Sequence, residues 1–220
     1  MKNPSQNVPS ELPVLVIGNT KGGVGKSLLA TSLAAAFAGE GTKVFLIDAD
    51  VGQSTSQEWV DRRERGRVAG CKSALIDVGR TIASAASKGA GLVIVDLGGR
   101  DDAALKPVLE HADLVVIPAQ PSLPDLKETN RFIRIARAAG VPWTVVLTRV
   151  KREEAARTRE YIGQYAALGE IAPVHTGDRV GHQDAYLYAQ GATEFAPNSI
   201  AAWEINRLRD HIARSLKGAA

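Results

Sequence analysis

Short apolar runs without alternating polar residues are the feature that most constrains the fold of this 220-residue chain. A strand with one face in water alternates apolar and polar residues, whereas a strand buried on both faces is apolar throughout. Runs of the second kind occupy residues 13–17, 43–47, 92–95, 114–117 and 143–147. We therefore predict five strands of a mostly parallel sheet that is covered on both faces.

Longer segments with helical spacing separate and follow these runs. We predict helices over residues 26–38, 54–65, 101–111, 124–139, 152–167 and 197–216. Regular alternation of strand and helix indicates βαβ units. The sequence thus predicts a single-domain α/β fold, a doubly wound, mostly parallel sheet flanked by helices, over residues 13–218. We expect a flexible tail over residues 1–12 and a surface loop over residues 66–72, while residues 177–198 carry mixed signals.

Composition excludes several classes of protein. Cys71 is the single cysteine, which argues against a disulfide framework and against a thiolate zinc cluster. The four histidines are scattered without metal-binding spacing. No apolar run approaches the roughly 18 residues that a membrane-spanning helix needs. The polar, proline-bearing start lacks the apolar core of a signal peptide. We therefore expect a cytoplasmic protein without a membrane anchor.

A glycine-rich segment, Lys21-Gly22-Gly23-Val24-Gly25-Lys26-Ser27, joins the first predicted strand to the first predicted helix. Glycines let a backbone curl so that several N–H groups and the helix N-terminus face one anion. In such a loop Lys26 brings a positive charge to the β- and γ-phosphates, and the Ser27 hydroxyl is a ligand for Mg²⁺. The alternative is a glycine-rich turn without a ligand. Motif and context together favour the phosphate site.

Carboxylates end two of the predicted strands. Asp48 and Asp50 end the second run, and their spacing along an extended segment points both side chains the same way. Asp96 ends the third run, in the pattern of an apolar strand followed by a magnesium-associated aspartate. Acids that simply terminate strands are the alternative. Their order after the glycine-rich loop favours a shared site for a phosphate and a metal ion.

The glycine-rich loop departs from the ordinary phosphate-loop pattern, since Thr20 stands where glycine is usual and an additional lysine, Lys21, opens the loop. Together with the Asp-x-Asp element and Asp96, this deviant Walker A loop resembles the ParA/MinD family of P-loop ATPases. Residues 116–125 are most similar to the short partition ATPases typified by ParF. The Pro-Gln-Gly that usually follows the family's second aspartate is replaced by residues 51–53, Val-Gly-Gln.

The resemblance implies ATP and Mg²⁺ as ligands and a weak intrinsic ATPase activity. Catalysis would depend on Lys21, which reaches the partner's phosphates in a homodimer formed on ATP binding, on Lys26, and on Asp50, which positions the attacking water. The magnesium site would comprise Ser27, Asp96 and, in the outer shell, Asp48. The implied ATP-binding residues are Lys21, Gly22, Gly23, Val24, Gly25, Lys26, Ser27 and Leu28 around the phosphates, with Thr148 and Arg149 beside the adenine.

Basic residues are concentrated in the second half of the chain. Eight lie between residues 131 and 159, where two glutamates oppose them, and the C-terminal helix adds four more. Such stripes are usually solvated helix faces. The resemblance adds another interpretation, because ParA-type ATP dimers bind non-specific DNA. The DNA-binding candidates are Arg152, Arg179, Arg207 and Arg214.

The resemblance therefore implies a nucleoid-associated ATPase that segregates or positions a plasmid or a protein cargo. Its partner would be a ParB-like, centromere-binding or cargo adaptor protein that stimulates hydrolysis. Two alternatives remain open at this stage. One is a regulatory or conjugation-associated adaptor of the same family with little turnover. The other is a metabolic enzyme on the same scaffold, although a lone cysteine argues against a cluster carrier.

Overall fold

A six-stranded parallel sheet forms the centre of the molecule in the computed structural model, which describes residues 12–50, 52–64, 66–99, 105–151 and 155–218. The strands are β1 (Val14–Ile17), β2 (Val44–Asp48), β3 (Val68–Lys72), β4 (Leu92–Asp96), β5 (Leu114–Ala119) and β6 (Trp143–Leu147). Their order across the sheet is β3-β2-β4-β1-β5-β6, and every neighbouring pair is parallel. All five predicted strands are confirmed.

The helices connect and cover these strands. They are α1 (Lys26–Gly39), α2 (Thr55–Asp61), α3 (Val78–Ser87), α4 (Leu105–Leu109), α5 (Leu123–Ala138), α6 (Ala155–Ala166), α7 (Val180–Leu187), α8 (Ala192–Phe195) and α9 (Ile200–Gly218). The six predicted helices are confirmed with shifted ends; residues 101–104 and 152–154 of two of them lie outside the described residues. Within the described ranges, no helix combines the length and apolar character needed to cross a bilayer.

The two faces of the sheet bury separate apolar clusters. Because successive side chains of a strand point to opposite faces, Val14 and Val16 of β1 pack with α3, α4, α5 and α6. Leu15 and Ile17 pack on the opposite face with α1, α2 and α9. Helices on both faces of a parallel sheet make the fold doubly wound, as predicted.

The prediction of a surface loop over residues 66–72 is wrong. Residues Val68–Lys72 form β3, which pairs along its whole length with β2 at the edge of the sheet. Only Val68 of this strand is deeply buried, and Gly70 lies so close to the Leu46 carbonyl that a Cβ there would overlap it. An edge strand built around a small residue lacks the apolar run by which the other strands were recognised.

Candidate nucleotide-binding site

Three chain segments converge at the carboxyl ends of adjacent strands. β4 lies between β1 and β2, and the register places Asp96 beside Ile17 on one side and beside Asp48 on the other. The loop that follows β1 therefore meets the acidic ends of β2 and β4. In open α/β sheets, ligands bind in the crevice outside these strand ends.

The glycine-rich loop has the backbone geometry that a phosphate cradle requires. Gly23 and Gly25 have φ of 75° and 87°, a left-handed conformation that favours glycine. The side chain of Val24 is buried between them and anchors the loop. α1 begins at Lys26. The residue at its N-cap is Gly25, which has no side chain to form a capping hydrogen bond. The first N–H groups of α1 are thus available to an anion.

The ammonium group of Lys26 lies inside this loop. Its Nζ donates a hydrogen bond to the Lys21 carbonyl at 2.8 Å, and a methyl group on Gly99 would come within 3.1 Å of it. Burial lowers the pKa of Lys26, and the negative charges of Asp96 and Asp50 oppose that shift. The group therefore stands between the phosphate loop, the carboxylates and the segment that follows β4.

Lys21 differs from Lys26 in the surroundings of its side chain. Its backbone N–H donates to Asn19 Oδ1 at 3.1 Å and its carbonyl accepts from Lys26, so the main chain is fixed. Among the described residues, none forms a hydrogen bond or an ion pair with the side-chain ammonium of Lys21, which is half-buried at the loop's start. This ammonium is available to a ligand or to another molecule.

Asp96 is a deeply buried carboxylate at the end of β4. Its exposed fraction is 1%, and neither carboxylate oxygen has a partner of normal geometry among the described residues. Burial raises the pKa of Asp96 to about 7, while the nearby hydroxyls of Ser27 and Ser56 lower it and the charge of Asp48 raises it further. Two unpaired oxygens beside a hydroxyl are the oxygen donors that Mg²⁺ takes in proteins. Asp96 and Ser27 therefore fit a magnesium ion.

In contrast to Asp96, Asp48 has both carboxylate oxygens hydrogen-bonded to the backbone. Its Oδ1 accepts the backbone N–H of Asp50 at 3.0 Å, and its Oδ2 accepts the N–H of Gln57 at 2.9 Å. Gln57 lies in the first turn of α2, so Asp48 stabilises the start of that helix and also fixes the turn that carries Asp50. The hydrogen bonds leave Asp48 in a supporting position beside Asp96.

Asp50 lies at the mouth of the site. Its Oδ1 accepts the backbone N–H groups of Gly52 and Gln53 at 3.2 and 3.4 Å. A methyl group at Gly98 would lie 2.9 Å from the Asp50 Cγ, so the segment after β4 packs directly against the carboxylate. Asp50, Asp96 and Lys26 are thus brought together as the sequence predicts.

Polar side chains support the loop from behind, and two of them, Asn19 and Gln120, were given no role by the sequence analysis. Asn19 donates to the Pro118 carbonyl at 2.8 Å and to Thr129 at 3.1 Å. Gln120 donates to the Gly23 carbonyl at 3.1 Å. Thr148, which was predicted at the adenine, donates to the Val24 carbonyl at 2.7 Å. These bonds connect the loop to β5 and β6, which fixes its position in the sheet.

A cavity of about 410 Å³ continues from the end of the loop. Leu28, Thr148 and Arg149 line it, as does Gly25, so the predicted adenine-side residues share one wall with the phosphate loop. Its other residues come from α1, α7, α9 and the segment before α7; they are Leu29, Ser32, Thr176, Gly177, Asp178, Arg179, His182, Gln183 and Ile205. A mixed polar and apolar pocket of this size beside a phosphate loop fits a nucleoside.

The three DNA-binding candidates that the structure describes do not form one surface. Arg179 lines the cavity and forms an ion pair with Glu204 at 2.6 Å, so its charge is already engaged. Arg207 and Arg214 lie seven residues apart on the exposed side of α9, where the Arg207 guanidinium lies 6.0 Å from the Trp203 ring centroid. Arg152 lies outside the described residues.

Comparison with known proteins places this site in a family. A model of the family described as the CobQ/CobB/MinD/ParA nucleotide binding domain matches residues 15–180. The chain is 38% identical over 151 residues to the Maintenance of carboxysome distribution protein A of Gloeobacter kilaueensis, covering 67% of this chain and 66% of that protein, just under two thirds. It is 32% identical over 170 residues to Protein ParA of Rhizobium radiobacter, covering 72% and 73%.

Solved structures resemble the whole described fold. The Aquifex aeolicus MinC:MinD cell division protein complex matches with a TM-score of 0.78 and 17% identity over 91% of this chain and 96% of that chain. The septum site-determining protein MinD of Pyrococcus horikoshii, complexed with Mg-ADP, matches with a TM-score of 0.76 and 13% identity over 95% and 99%. At these identities the likeness shows the fold.

Proposed function

The chain belongs to the CobQ/CobB/MinD/ParA family of nucleotide-binding domains, and we propose that it is a ParA-type ATPase that segregates or positions a plasmid or a protein cargo. The observation that carries the proposal is the loop that contains both Lys21 and Lys26, facing the carboxylates of Asp50 and Asp96. The names of the two sequence relatives, one for ParA and one for carboxysome distribution, support a positioning role.

ATP is the proposed substrate. The N–H groups at the start of α1 and the Lys26 ammonium bind its phosphates, and the cavity beside Thr148 and Arg149 receives adenosine. Ser27 and Asp96 hold the accompanying Mg²⁺, and Asp48 orders the turn beside them. When bound, the ion supplies positive charge to the phosphate oxygens. The Mg-ADP in the MinD neighbour supports this ligand class.

Asp50 orients the water that attacks the terminal phosphate. Its Oδ1 is held by two backbone N–H groups, which leaves Oδ2 to accept a hydrogen bond from water. Phosphoryl transfer requires mainly positioning and charge stabilisation, so a fixed carboxylate at the mouth of the site is sufficient for this role. Weak turnover by the isolated chain follows if the remaining positive charge comes from a second molecule.

That second molecule is another copy of the chain. The Lys21 side chain has no partner among the described residues, so it is free to cross to the phosphates bound by the second copy. Two apolar side chains near the carboxyl ends of the strands support closure of this face: Ile76 is 89% exposed and Leu123 is 52% exposed. ATP bound between the two copies stabilises the closed dimer.

DNA binding by the closed dimer involves the outer side of α9. Arg207 and Arg214 are exposed there and make phosphate contacts without base recognition, so affinity falls steeply with salt. Pairing the two copies doubles the number of these cations on one particle, which makes binding depend on ATP. A partner protein stimulates hydrolysis and releases the dimer from the nucleoid.

The test measures binding to a random-sequence duplex without nucleotide, with ADP and with ATP–Mg²⁺, across a salt series. Binding should require ATP, should persist longer in Asp50→Ala, which is trapped before hydrolysis, and should be lost in Lys21→Ala. Combined Arg207→Ala and Arg214→Ala should weaken it, whereas Arg80→Ala, an exposed arginine on α3, is the matched control. Absence of DNA binding in every nucleotide state, or salt-insensitive binding, contradicts the proposal.

A further inference from the structure

Glu204 on α9 is a buried carboxylate to which the proposed ATP chemistry assigns no role. Its side chain is 4% exposed. Oε1 accepts two hydrogen bonds from Arg179, at 3.0 Å from Nε and 2.6 Å from Nη2. Oε2 accepts the backbone N–H of Gly177 at 3.0 Å and lies 3.4 Å from His182 Nε2. Burial alone would raise the pKa of Glu204, but these bonds from His182, Arg179 and Gly177 lower it to about 2.

The three partners of Glu204 all line the nucleotide cavity, whereas Glu204 itself does not. Gly177, Arg179 and His182 come from the segment before α7 and from its first turn. The Arg179 guanidinium lies across the Gly177 backbone, since a Cβ at Gly177 would come within 2.8 Å of Arg179 Nε. Gly177, Arg179 and His182 form one wall of the cavity. The Glu204 carboxylate behind this wall holds a backbone N–H, a guanidinium and an imidazole in place.

The other edge of this wall is held by the end of β6. The N–H of Thr176 donates to the Leu147 carbonyl at 2.9 Å, and the N–H of Asp178 donates to the Val150 carbonyl at 3.0 Å. Gly177 lies between these two attachments, and its own N–H points to Glu204 instead. The wall is therefore attached to the backbone at and after the end of β6 on one side and to a side chain of α9 on the other.

We propose that Glu204 is a positioning residue that sets the affinity of the cavity for the nucleoside part of the nucleotide. The inference rests on the proposed nucleotide binding at this site. Glu204 acts through Gly177 and Arg179, because it does not reach the cavity itself. The phosphate loop has separate supports in Asn19, Gln120 and Thr148, so binding of the phosphates does not depend on Glu204.

The experiment compares the affinities of the full chain for ATP and for inorganic tripolyphosphate, each measured by competition with a fluorescent ATP analogue. Glu204→Gln keeps the shape of the side chain and removes its charge. Losing charge-assisted bonds behind the wall should weaken ATP binding roughly tenfold and leave tripolyphosphate binding unchanged. Arg179→Gln should behave alike, and the double variant should lose no more than the larger single loss, since both act through one contact.

Glu194→Gln is the matched control. Glu194 accepts two bonds from Arg63 and one from the Gly191 N–H, as Glu204 does from Arg179 and Gly177, but its contacts lie away from the cavity. It should change neither affinity. Equal losses for ATP and tripolyphosphate in Glu204→Gln, additive losses in the double variant, or unchanged ATP binding would overturn the inference. A wild-type chain that binds neither ligand would overturn the proposed function itself, and the inference with it.

Discussion

Two neighbouring aspartates should respond to the same substitution with opposite changes in stability. Asp96 and Asp48 are register partners on β4 and β2, and both are 1% exposed. The oxygens of Asp96 have no partner of normal geometry within the described residues, whereas those of Asp48 accept two backbone N–H groups. We expect Asp96→Asn to stabilise the metal-free protein. We expect Asp48→Asn to destabilise it by about 1–3 kcal/mol, because the new side-chain NH₂ group would face one of the two backbone N–H groups that now donate to Asp48.

The size of the Asp96 effect follows from its pKa. Burial raises that pKa from 3.8 to about 7 in the folded state. At a pH below 3.8, the pKa of Asp96 in the unfolded chain, Asp96 is protonated in both states and has no effect on stability; the relevant interval runs from there to the folded pKa of about 7. As the pH rises through this interval, the unfolded chain ionises first and stability falls; above about pH 7 the full penalty, about 4 kcal/mol, is present. An unpaired buried amide costs about 1–3 kcal/mol, so the net gain at high pH is smaller than that penalty.

Urea denaturation in EDTA at about pH 5 and about pH 8 measures both effects. The free energy of unfolding of Asp96→Asn, relative to that of wild type, should be about 2–3 kcal/mol larger at the higher pH than at the lower. The Asp48→Asn variant should be less stable than wild type at both values. If Asp96→Asn destabilises the protein equally at both, the carboxylate is not the unpaired buried charge that the structure describes, and the reasoning fails.

Three further substitutions test the surroundings of the site. Gly98→Ala should push the Asp50 carboxylate aside, since the new methyl group would lie 2.9 Å from the Asp50 Cγ. We expect the rate of single-turnover ATP hydrolysis to fall about 10²-fold, while the affinity for ATP stays within a few fold of the wild-type value. Thr148→Val removes the 2.7 Å hydrogen bond to the Val24 carbonyl and should cost about 1 kcal/mol in urea denaturation, with weaker ATP binding. Gly70→Ala should cost about 1–3 kcal/mol in the same assay, because its methyl group overlaps the β2 backbone; an unchanged midpoint would show that β3 adjusts freely.

The sequence by itself predicts the parts of this protein that are local. Lys21 through Ser27 are contiguous, and glycines in that order dictate a left-handed, anion-facing turn wherever the chain places it. The central strands are recognisable because burial on both faces requires an uninterrupted apolar run. Asp50 and Asp96 follow such runs directly, so the convergence of parallel strand ends brings them to the loop.

Tertiary structure decides what depends on contacts distant in the chain. β3 has little apolar character of its own and forms because β2 offers an edge with room for Gly70. Arg179 has the sequence context of a surface cation, yet Glu204, 25 residues away, turns it into part of a cavity wall. The charge of a side chain is fixed by its type, but whether that charge meets solvent, a ligand or a buried carboxylate depends on which segments the fold packs together.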